Sequence, residues 1–90
     1  MLDNNLNLNV NYFNSKIGEY WSSKKYLLLK NILIKFYLHE HLSDIEYFTI
    51  DNIKKNKKFI EEIKCNNFFN NITINELCLR IKIIIKVFYN

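Results

Sequence analysis

Two sets of basic residues in this 90-residue sequence have the types and spacing to do chemistry with a partner. Lys54, Lys55, Lys57 and Lys58 flank Asn56, and Arg80, Lys82 and Lys86 recur at even intervals near the carboxyl end. Either set could neutralise several phosphates, because contacts to a nucleic-acid backbone require only positioned cations. The same side chains would also make an ordinary solvated surface, and both readings stand on the sequence.

Catalytic patterns are missing. With one glycine, Gly18, the chain has no phosphate-cradling G-x-x-x-x-G-K loop and no Ser/His/Asp arrangement recognisable by spacing. His39 and His41 stand two apart, so on a helix they point about 200° from each other and cannot chelate one ion together. Glu61 and Glu62 read as the solvated side of a helix rather than an acid/base pair. Cys65 and Cys78 form no C-x-x-C motif and are expected to be reduced, buried thiols. Tyr20 and Trp21 could stack on bases, but in a small domain such residues serve the core first. The expectation is a non-enzymatic protein with no cofactor and no metal.

Composition bounds the rest. Apolar residues make up 49% of the chain and the formal charge is +4, which favours an anionic partner such as RNA, DNA or an acidic protein surface. A single domain over 1–90 of this length buries only ~60 to 65% of its unfolded surface, so independent stability is marginal and a partner can be part of the fold. Alanine, proline and glutamine are absent while asparagine, isoleucine and lysine crowd every segment, the mark of an AT-rich genome such as that of an organelle, parasite, symbiont or large virus. Asparagine pairs such as Asn66-Asn67 and Asn70-Asn71 therefore read as polar filler in loops. The apolar run Leu27 to Leu38 is too short and too interrupted by Lys30, Asn31 and Lys35 to span a membrane.

The elements that must position the basic groups follow from periodicity. Leu6, Leu8, Val10 and Tyr12 alternate with asparagines, which predicts an extended arm or edge strand over 1–19. Segment 20–50 predicts a helix over about 23 to 42, capped by Ser22 or Ser23 with Leu29, Ile32, Leu33 and Phe36 on one face, then a strand from Ile45 to Ile50. Segment 51–76 reads as a basic loop through Lys58, a short helix at Phe59, Ile60 and Ile63, and an insertion whose loop is pinned by Phe68 and Phe69. Over 77–90 the alternation Leu79, Ile81, Ile83, Ile85 and Val87 predicts a terminal strand with Arg80, Lys82 and Lys86 on its other face. A capping box at Thr73 to Glu76 and a helical face of Leu77, Ile81, Ile84, Ile85 and Phe88 compete with it, and β-branching favours the strand. The resulting class is α+β, a helix packed on a small β-sheet.

Tyr20-Trp21-Ser22, Lys25-Tyr26, Ile34-Lys35-Phe36-Tyr37-Leu38, Leu42 and the segment Ile45 to Ile50 together resemble the amino-terminal part of the small-subunit ribosomal protein three family. The resemblance implies an incomplete type II KH-like half-domain that lacks the helices of the G-x-x-G clamp, with Asn52 to Glu76 inserted between its two strands. It further implies a structural constituent of a mitochondrial small ribosomal subunit, bound in the organelle matrix to rRNA through Lys54, Lys55, Lys57, Lys58, Arg80, Lys82 and Lys86. Neighbouring ribosomal proteins and a second polypeptide completing the KH-type domain would be its partners. Outside the resemblance, the sequence also fits a protein-binding accessory subunit of another organellar complex, such as a respiratory one, or a small viral or phage inhibitor.

Overall fold

A computed structural model of the chain describes residues 20–89, and the arm or edge strand expected over 1–19 lies outside them. Of the described residues 74% are helical and none forms a strand. The α+β expectation is therefore overturned: the described residues are all-α and hold no half-sheet of KH type for a second polypeptide to complete. Its elements are α1 (Ser23–Phe36), α2 (His39–Leu42), a 3-10 turn (Ile45–Tyr47), α3 (Ile50–Lys55), α4 (Lys57–Cys65) and α5 (Ile74–Tyr89).

The single helix expected over 23 to 42 is two. Ser22 caps α1 by accepting from the Lys25 amide at 3.2 Å, as its position predicts. Tyr37 then leaves helical geometry (φ −130°, ψ 142°) while its N–H still reaches the Leu33 carbonyl at 3.0 Å. Burial of its ring among Phe48, Phe59 and Tyr47, with centroids 5.0, 5.3 and 6.3 Å away, goes with the break. An aromatic side chain gains more by entering the core than one more helical hydrogen bond contributes, ~1.5–3 against ~1 kcal/mol.

The strand expected from Ile45 to Ile50 is cut by two caps. Asp44 accepts from the Glu46 amide and Thr49 from the Asn52 amide, both at 3.1 Å, so the six residues close a 3-10 turn and open α3. The second strand, expected over 79 to 89, is the carboxyl part of α5. Thr73 Oγ1 accepts from the Glu76 amide at 3.1 Å, and Leu77, Ile81, Ile84 and Ile85 are buried together. Ile83 is buried as well, so both periods find apolar residues in this segment. The helix satisfies its own backbone, whereas a strand would need a neighbour that no other described segment supplies.

The basic loop expected through Lys58 is also helical. Asn56 ends α3 and begins α4. Its Oδ1 accepts from the Phe59 amide and its Nδ2 donates to the Phe36 carbonyl, each at 3.2 Å. Lysines in the first turn of α4 oppose the helix dipole by ~0.3–1 kcal/mol, which screening reduces because Lys57 and Lys58 are exposed. Burying Phe59 and Ile63 is worth several times that. Asn56→Ala removes a cap and leaves the Phe36 carbonyl without its donor, so urea unfolding should show a loss of about 1–2 kcal/mol. Asn56→Asp, which keeps only the acceptor, should recover part of it, and the exposed Asn70→Ala should stay within about 0.5 kcal/mol of the parent.

Around this joint α4 and α5 pack on α1, with Leu29, Leu33, Phe48, Ile53, Phe59 and Ile81 at the centre of one apolar core.

Candidate functional site

The Asn56 joint gathers the lysines. Lys54 and Lys55 end α3, Lys57 and Lys58 begin α4, and all four are exposed. Among the described residues none of the four takes part in an ion pair. They form a cationic corner on a framework fixed by the Asn56 hydrogen bonds.

One side of the corner opens into a groove of about 480 Å³ between α4 and α5. Ile63 and Leu77 form its floor, Ile60, Ile72 and Ile74 its half-buried walls, and Lys54, Lys57 and Lys64 stand around it with Glu61. Lys55 and Lys58 do not line it. Sequence reading missed Lys64 because it treated the lysines as a loop cluster; on a helix beginning at Lys57, the seven-residue spacing places Lys64 on the same face.

The carboxyl-terminal cations do not form a row. Along α5, Lys82 and Lys86 are one turn apart, whereas Arg80 points about 160° away from Lys82. Lys86 is exposed, and the half-buried Lys82 lines a separate, more open depression of about 450 Å³ with Thr49, Asp51 and Asn75. Arg80 is 0% exposed and is withdrawn from any phosphate. Its Nη1 donates to the Tyr26 hydroxyl at 2.7 Å, its Nε and Nη2 donate to Glu76 Oε2 at 3.2 and 3.0 Å, and its guanidinium lies 4.6 Å from the Trp21 ring centre. Phe69 and the Lys25 ammonium complete this cluster, 5.5 and 4.4 Å from the same ring. Trp21 is therefore a packing residue, while Tyr20 beside it is exposed.

Burial raises the Tyr26 hydroxyl above its ordinary pKa of 10.0, and the Arg80 hydrogen bond and charge oppose that rise. Tyr37 is pushed up to about 12, first by burial and then by Tyr47. Its hydroxyl lies against the Asn56 amide without the geometry of a full hydrogen bond. Both phenols stay protonated at neutral pH, and neither stands beside a nucleophile.

Most of the other reactive residue types have packing or pairing partners. His41 stacks on Tyr47 at 4.0 Å and His39 meets the edge of Tyr89 at 6.0 Å. Cys78 is buried and donates its thiol hydrogen to the Phe48 carbonyl at 3.2 Å. Cys65, expected to be buried, is exposed. Glu62 pairs with Lys35 at 3.2 Å, joining α4 to α1, and Glu61 turns to the groove. No group of three or more His, Cys, Asp or Glu side chains among the described residues could hold a metal, and no described helix is long and apolar enough to cross a membrane.

The described residues thus define an all-helical unit with a cationic corner beside a lysine-rimmed groove. No family model matches the chain, and neither the curated proteins nor the solved structures contain a match.

Proposed function

We propose that the chain is a non-enzymatic, structural component of a ribonucleoprotein that holds RNA backbone at the cationic corner. The carrying observation is that Lys54, Lys55, Lys57 and Lys58 all flank one hydrogen-bonded joint, exposed and without ion-pair partners among the described residues. Such a corner neutralises phosphates without needing the G-x-x-G clamp or a sheet. The RNA proposed is rRNA of a mitochondrial small subunit, with ribosomal proteins as neighbours, on the residue resemblance of Tyr20 to Leu42 to small-subunit ribosomal protein three alone, since Ile45 to Ile50 is not the strand that resemblance implies. Lys82 and Lys86 lie elsewhere on the surface and extend the footprint only for a ligand that wraps around the domain. Arg80 is structural.

Salt dependence tests this reading. Four phosphate contacts predict that affinity for a small-subunit rRNA fragment falls roughly 50- to 150-fold between 50 and 200 mM salt in fluorescence anisotropy. Lys55→Glu with Lys58→Glu should weaken binding and flatten the salt slope by about two contacts. Retention in a membrane complex that survives both high salt and nuclease would overturn the proposal.

A further inference from the structure

We infer that the groove between α4 and α5 is a docking site for an amphipathic helix of a neighbouring protein, one that carries two acidic side chains two turns apart with a basic one between them. The chemistry of the groove narrows its occupant. An RNA backbone would leave the aliphatic walls at Ile60 and Ile74 wet, and a purely apolar ligand would make no use of the three exposed ammonium groups around them. A single fatty carboxylate can meet only one of those cations, and its tail would stay half in water because the groove is open to solvent along one side.

The spacing of charge identifies the remaining class. Lys57, Glu61 and Lys64 lie at i, i+4 and i+7 of α4, hence on one face. Lys57 and Lys64 are about 10 Å apart along the axis. A helix laid lengthwise presents apolar anchors at i, i+3 or i+4, and i+7 to the floor, and can place carboxylates at the same two-turn interval. Lys54 adds a third cation at one end of the groove. Glu61 sets the register, because an uninterrupted acidic stripe would meet it as a like charge while a central lysine would pair with it. The groove shares Lys54 and Lys57 with the corner, but Lys55 and Lys58 belong to the corner alone and Lys64 to the groove alone, and these three separate the two readings in a test.

The test uses the full chain and a fluorescein-labelled helical peptide of fifteen residues, with leucines on one face and Glu, Lys and Glu at positions 0, 4 and 7 of its flank. Saturable binding is expected, with affinity reduced roughly fivefold by Lys64→Glu and more than tenfold by Ile60→Asp. Lys55→Glu with Lys58→Glu should leave peptide binding unchanged while weakening rRNA binding, so the two readings fail separately. Glu61→Lys should weaken the original peptide and restore binding to one whose central lysine is replaced by glutamate, a reciprocity that loss of folding cannot mimic. Equal binding of a charge-scrambled peptide would overturn the inference. So would self-association of the chain that Lys64→Glu abolishes, or an effect of Lys64→Glu on rRNA binding alone.

Discussion

Arg80→Ala is expected to lower stability by about 3 kcal/mol, a large part of what a 90-residue domain has in total. The arginine is fully buried, and its removal takes a 2.7 Å donor from the Tyr26 hydroxyl and the ion-pair partner from Glu76. Glu76 keeps 27% of its side-chain exposure, so water compensates it in part and the loss stays at the lower end for a broken buried pair. Arg80→Lys should not rescue, because one ammonium cannot serve Tyr26 and Glu76 in the guanidinium's planar geometry or stack on Trp21 in the same way. A triple variant, Arg80→Met with Glu76→Leu and Tyr26→Phe, should return part of the loss, since it removes the Tyr26 hydroxyl and the Glu76 carboxylate together with the guanidinium they pair with. Urea denaturation followed by circular dichroism measures all three. A single Arg80→Ala variant as stable as the parent would mean that the cluster contributes nothing net.

Phe59→Ala is the second large effect, about 3–5 kcal/mol. Phe59 is 0% exposed and sits where α4 meets the end of α1, with ring centroids 6.0 Å from Phe36 and 5.3 Å from Tyr37. Truncation opens a cavity between helices that the Asn56 hydrogen bonds hold in place, so collapse around the site is restricted. Phe68→Ala supplies the contrast: its ring is 61% exposed, and the expected change is within about 0.5 kcal/mol. Comparable losses at both positions would show that the described burial does not govern stability.

How far the sequence reveals this fold depends on which signal is read. A serine cap at 22 or 23 and the buried positions Leu29, Ile32 and Leu33 are legible from residue type and spacing. The last segment misleads because isoleucines at 81, 83, 84 and 85 satisfy periods of two and of 3.6 at once. β-branching carries only about 1 kcal/mol of preference, and tertiary burial together with the Thr73 cap overrides it. Caps are likewise the signal that turns Ile45 to Ile50 from a strand into two short helical pieces. The cationic corner is visible as a cluster, whereas the groove is not, because Lys64 joins it only once α4 is known to start at Lys57. Arg80 hides for a different reason. Its neighbours in sequence suggest a basic row, and only the meeting of α1 with α5 shows that Tyr26, 54 positions earlier, is its partner.

The Asn56 joint also ties the stability of the fold to the charge of its surface. Its amide works in both directions, accepting from the start of α4 and donating to the end of α1. A carboxylate in its place, as in Asn56→Asp, would still accept but would set negative charge against the Phe36 carbonyl. One substitution would thus loosen two helices at once and add an anion among four lysines. The variant should hold polyanions less tightly as well as unfold more easily, so the hinge of the fold and the charge of the corner are set by the same side chain.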